Sequence, residues 1–125
     1  MILLLDTHAL LWWLTEDDTL RREAAQSIAS PMNEVVVSVA SIWEVEIKRA
    51  RGTLRAPADI IETTERAGFS CLPILAGDAV RAARLPFHHG DPFDRMLVAH
   101  AMRLDAVIVT RDPAFRAYGV PLLAA

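Results

Sequence analysis

The chain has 125 residues, 53% of them hydrophobic, and a formal net charge of −3. That length fits one domain spanning residues 1–125, and the apolar fraction excludes a disordered chain. The lone Cys71 has no partner for an intrachain disulfide, and Met1–Leu5 is cut off by Asp6 long before it reaches the length of a signal h-region or a membrane span, so a cytoplasmic protein away from membranes is expected.

Ile2–Leu5 is a continuous apolar run, as expected of a strand buried on both faces. Helical patterns follow over Thr7–Leu14 and Leu20–Ser30, then a β-branched run at Val35–Val37 and a third helix over Ile42–Arg51. Gly52 reads as the residue that ends this helix, with Lys48, Arg49 and Arg51 complementing its dipole. Ala58–Ala67 is a helix, Ser70–Ile74 a weak strand, and Ala76–Arg84 and Pro92–Leu104 are helices. Val107–Val109 is a β-branched strand, Asp112-Pro113 opens a short helical turn, and Val120–Leu122 is a weak final strand. Adjacent Trp12 and Trp13 point about 100° apart on their helix, so one is expected in the core and the other at an interface. Strands alternating with helices predict an α/β fold with a mostly parallel sheet, whose ligand site lies beyond the carboxyl ends of the strands where strand order reverses.

Four acids fall at strand ends or at adjoining helix starts. Asp6 follows the first strand, Glu44 and Asp94 sit in the first turns of predicted helices, and Asp112 follows Thr110-Arg111. Each has an innocent reading. Asp6 and Asp112 suit N-caps, Ser41-Ile42-Trp43-Glu44 fits a capping box, and Asp91-Pro92-Phe93-Asp94 is a cap with Pro at N1 and an acid at N3. All four at one sheet edge would repel one another unless a cation sat among them. Oxygen-only ligands suit Mg²⁺, with Mn²⁺ able to substitute, and not zinc. Setting four ligands aside turns the charge from −3 to +1 (−3 + 4), so the total neither supports nor excludes a nucleic-acid partner. Of the 13 basic residues, Lys48 is the single lysine, and arginine suits bidentate phosphate contacts.

Leu4-Leu5-Asp6-Thr7-His8-Ala9, Ser41-Ile42-Trp43-Glu44, Asp91-Pro92-Phe93-Asp94-Arg95 and Thr110-Arg111-Asp112 occur in the order and spacing of the PIN-domain family, and the chain most resembles its VapC-type toxins from Leu4 to Val120. The resemblance implies a three-layer fold with a central parallel sheet of order 3-2-1-4-5. It also implies that Asp6, Glu44, Asp94 and Asp112 are the catalytic acids, with Asp6, Asp94 and Asp112 holding metal. The implied activity is Mg²⁺-dependent endonucleolytic cleavage of single-stranded RNA by a homodimer inhibited by a small antitoxin. Arg95 is a candidate phosphate clamp, or else an ion-pair partner of Asp91 or Asp94, and Thr110 is a candidate for orienting water. His88-His89-Gly90-Asp91 reads as a solvated loop in preference to a zinc site, with His89 a candidate substrate contact. Two other functions fit the same residues. One is a PIN nuclease of RNA maturation or decay without an antitoxin. The other is a non-catalytic binding module whose acids only cap helices.

Overall fold

The computed structural model describes residues 1–125. Five strands, β1 (Ile2–Leu5), β2 (Glu34–Ser38), β3 (Ser70–Leu72), β4 (Val107–Thr110) and β5 (Leu122–Ala124), form one sheet of order 3-2-1-4-5. All four neighbouring pairs are parallel. The helices are α1 (Thr7–Leu14), α2 (Arg22–Ala29), α3 (Val39–Ala50), α4 (Ile60–Arg66), α5 (Ala76–Arg84) and α6 (Pro92–Leu104), with a 3₁₀ helix at Pro113–Tyr118.

The central strands are apolar on both faces because both are covered. Leu3, Leu5, Val35, Val37 and Val109 point into a cluster with Ala9, Leu10, Ala24, Val45 and Ile60 from α1 to α4. The alternate residues Leu4, Val36 and Ile108 point the other way, onto Leu97, Val98, Ala101 and Phe115. The period of two along each strand thus divides one sheet between two helical layers. The expected three-layer fold and strand order are observed.

Several boundaries shift for local reasons. β3 stops before Pro73, which has no N–H to donate to the ladder. β5 begins at Leu122 rather than Val120, because Pro121 has no N–H to donate to the ladder, although its carbonyl accepts from the Ile108 amide at 3.0 Å. Helix α3 begins at Val39, three residues before its expected start, because Ser38 caps it by accepting from the Ala40 amide at 3.0 Å. Gly52 does follow the C-cap of α3, at φ +70°. Trp12 and Trp13 do not divide between core and surface. Both are half-buried, Trp12 under the Arg111 guanidinium at 4.5 Å from its ring centre and Trp13 against Phe69.

Candidate metal centre at the carboxyl ends of the sheet

The strand order reverses between β1 and β4, and the loops leaving these two strands carry Asp6 and Asp112. Asp6 caps α1, its Oδ1 accepting from the Ala9 amide at 2.8 Å. Its other oxygen accepts from the Thr110 hydroxyl at 2.6 Å. Burial pushes the Asp6 carboxyl above the usual carboxylate range despite these two donors. Asp112 caps the 3₁₀ helix through the Ala114 amide at 2.9 Å and leaves Oδ2 toward the pocket.

Glu44 lies in the second turn of α3, out of reach of any capping box, and is buried. Its Oε1 accepts from the Thr7 hydroxyl, and its Oε2 stands 3.4 Å from Lys48 Nζ, one turn further along the helix. Asp94 is at the third position of α6, but the cap there is Asp91, whose Oδ1 accepts from the Phe93 and Asp94 amides at 2.8 and 3.2 Å. Burial, with Asp91 and Glu44 nearby, pushes Asp94 up to about 7 against the opposing pull of His89.

Asp6, Glu44, Asp91, Asp94 and Asp112 therefore wall one cavity of about 120 Å³, with Lys48 at its side. The four expected acids come together, and Asp91, read from sequence as a cap alone, both caps and joins them. The DPFD spacing was the available signal, since N-cap and N3 side chains share one end of a helix.

His89 is a correction to the solvated loop. Its Nε2 lies 2.7 Å from Asp94 Oδ2 and 3.3 Å from Asp112 Oδ2, and the three side chains offer ligand atoms within 4.8 Å of one another. The Asp91 amide donates to Nδ1 at 3.4 Å, which leaves the proton of a neutral ring on Nε2, facing Asp94. His88 turns away and packs on Tyr118.

Arg95 corrects a second expectation, because it neither faces the cavity nor pairs with Asp91 or Asp94. It is buried, and its Nη1 and Nη2 donate to the carbonyls of Pro86, His89, Ala83 and Leu85 and to the Tyr118 hydroxyl, at 2.7 to 3.3 Å. It shapes the loop that delivers His89. Thr110 likewise is 4% exposed and spends its hydroxyl proton on Asp6, so it positions a carboxylate and is not itself placed to touch substrate.

The donor set fits a hard divalent cation. Carboxylate oxygens dominate, the imidazoles of His8 and His89 are beside them, and burial makes two of the acids, Asp6 and Asp94, hold protons unusually well against the pull of those two histidines. The fold and this pocket define the class: a parallel α/β domain with an acidic cluster at its switch point.

A family model described as PIN domain matches residues 3–121, and the chain belongs to that family. Ribonuclease VapC22 of Mycobacterium tuberculosis (strain ATCC 25618 / H37Rv) is 26% identical over 121 residues, covering 94% of this chain and 92% of that protein. Among solved structures, VapBC2 from Rickettsia felis bound to a DNA fragment from its promoter superposes with a TM-score of 0.69 at 13% identity, over 98% of each chain. A toxin–antitoxin complex from Klebsiella pneumoniae gives 0.63 at 22% identity, over 97% of this chain and 95% of that one. These two likenesses establish the shared fold.

Proposed function

We propose that residues 1–125 form one PIN domain that hydrolyses phosphodiester bonds in single-stranded RNA with Mg²⁺ or Mn²⁺, and that it is the toxin of a VapBC-like toxin–antitoxin pair. The observation that carries this reading is the convergence of Asp6, Glu44, Asp94 and Asp112, from four separate elements, on one cavity at the switch point. The relatives support it by their names, a ribonuclease and two toxin–antitoxin assemblies.

In this reading Asp6, Asp94 and Asp112 hold the ion. A bound divalent cation polarises the phosphate and offsets charge developing on the leaving oxygen. Thr110 and the Ala9 amide fix both oxygens of Asp6, so that carboxylate stays aimed at the cavity. Thr7 occupies Oε1 of Glu44, which leaves Oε2, 3.4 Å from Lys48 Nζ, to accept a proton from the attacking water. A binding module with purely capping acids is disfavoured by Glu44 and Asp94, whose carboxylates accept from no backbone amide.

A groove of about 840 Å³ beside Trp12, Trp13, Leu14, Leu20 and Ala25 suits the apolar helix of a small antitoxin. Val39 and Trp43 on α3 are exposed and offer a homodimer face. Its action is placed in the cytoplasm, where a ribonuclease meets RNA; no helix is long and apolar enough to cross a membrane.

Incubation with labelled single-stranded RNA tests the reading. Cleavage should require Mg²⁺ or Mn²⁺, stop with chelator and be absent in Asp94→Asn. Cleavage that persists in Asp94→Asn would refute the assignment. Growth arrest on expression, relieved by the protein of an adjacent small reading frame, separates a toxin from a nuclease of RNA maturation or decay.

A further inference from the structure

The acidic cavity does not close at Asp112. Asp112 also lines a second cavity of about 490 Å³, whose charged wall is Arg21, Arg111 and Arg116. Asp112 is the one acid that lines it. The three arginines come from three places: the N-cap of α2, the turn after β4, and the 3₁₀ helix.

Their environments differ in a telling way. Arg111 is fixed, with Nε donating to the Ala125 carbonyl at 3.1 Å, Nη2 to the same oxygen at 2.8 Å, and the guanidinium over Trp12. Arg21 and Arg116 are exposed and form neither an ion pair nor a side-chain hydrogen bond; Arg81 and Arg84 are unpaired in the same way on another cavity, but the groove of Arg21 and Arg116 is the one that meets the acidic pocket, at Asp112. In a chain of net charge −3, two free guanidiniums on the rim of one groove, beside a third that is locked, leave a local positive field without its anion.

The chemistry of the groove selects the anion. Guanidinium planes match phosphate oxygens in pairs. The remaining wall is Thr110, Pro113, Gly119, Val120, Leu122 and Ala124, with no aromatic ring on which a base could stack. A strand with one phosphate at the carboxylates must run its neighbouring phosphates across adjoining surface, and this is adjoining surface of the right sign. We propose, building on the nuclease reading, that the groove is the backbone track of the RNA substrate. Arg21, Arg111 and Arg116 bind the phosphates flanking the scissile one, without reading sequence.

The test uses an Arg21→Gln/Arg116→Gln double variant and its Arg→Lys counterpart, with folding checked by circular dichroism. Binding of a fluorescein-labelled single-stranded RNA is followed by anisotropy across a salt series in chelator, where carboxylate repulsion is common to all variants. The slope of log K against log salt should weaken by about 0.7 per lost contact, hence about 1.4 for the glutamine pair, and the lysine pair should keep most of it. In Mg²⁺, KM for the same RNA should rise about tenfold in the glutamine pair. Equal affinity and equal slope in wild type and glutamine variant would overturn the track. So would loss of poly-glutamate binding with RNA binding intact, which assigns the groove to an acidic protein. A wild type that binds with the expected slope but cuts nothing would sink the nuclease reading and leave the track standing.

Discussion

The Thr110 hydroxyl, at the end of β4, donates to Asp6 Oδ2 at the end of β1 across 2.6 Å, and so joins the two strands that flank the switch point. Thr110→Val keeps the shape and removes this donor. The metal-free fold should lose about 1 to 2 kcal/mol in a urea melt, because a buried carboxylate oxygen is left unpaired. The Asp6 carboxyl should then rise further above its ordinary range, and the thermal gain on adding Mg²⁺ should shrink. An unchanged gain would show that Thr110 does not hold Asp6 for the ion.

Asp94 sets the pH window. Its carboxyl rises from 3.8 to about 7 on folding, so without metal its stabilising contribution is full below 3.8 and is lost as pH rises through about 7. Asp94→Asn should remove this loss, making the metal-free variant equal to wild type in acid and more stable at pH 8 and above. Metal must displace the same proton, so the Mg²⁺-induced rise in melting temperature should be small a unit or more below pH 7 and large above it. A wild-type Mg²⁺ response that is flat across neutral pH would contradict the shift.

Arg95→Lys distinguishes a loop brace from a phosphate clamp. One ammonium cannot serve acceptors on both sides of the guanidinium fork, so the variant should lose at least about 3 kcal/mol and its Leu85–Gly90 amides should exchange faster. A variant with wild-type stability and a raised KM for RNA would restore the clamp.

A buried group between α5 and α6 governs the acid limb. Burial pushes the Asp78 carboxyl up, but the Arg103 guanidinium, the Leu75 amide and His100 outweigh it and hold it below 3.8. Burial also lowers His100 from 6.5, against the pull of Asp78. Both shifts are downward, so this stability is present above the unfolded values and is lost as pH falls, first below 6.5 for His100 and then below 3.8 for Asp78. His100→Gln should flatten the decline that begins below pH 6.5 in an acid titration followed by circular dichroism.

The sheet and the acids were legible because each rests on a local pattern: two-sided apolar runs for the strands, and acids at strand ends for the pocket. What failed was of another kind. Ser41 and Glu44 match a capping box, but Ser38 begins the helix one turn earlier, and nothing in the spacing chooses between two serines. Arg95 is an exposed residue by default, and its acceptors are loop carbonyls, which every residue has and which no motif marks. His89 reaches Asp94 and Asp112 only because of the path that Arg95 imposes, so misplacing one misplaced the other.

The strand nearest the N-terminus occupies the middle of the sheet, and one of its two neighbours is β4. During synthesis β1 therefore emerges long before the partner that completes its ladder, and Asp6 waits for Thr110 and Asp112. A ribosome that stalls anywhere before residue 107 releases a chain with an unfinished sheet and a scattered set of acids. The topology itself thus acts as a timer, keeping the acids apart until β4 has been made.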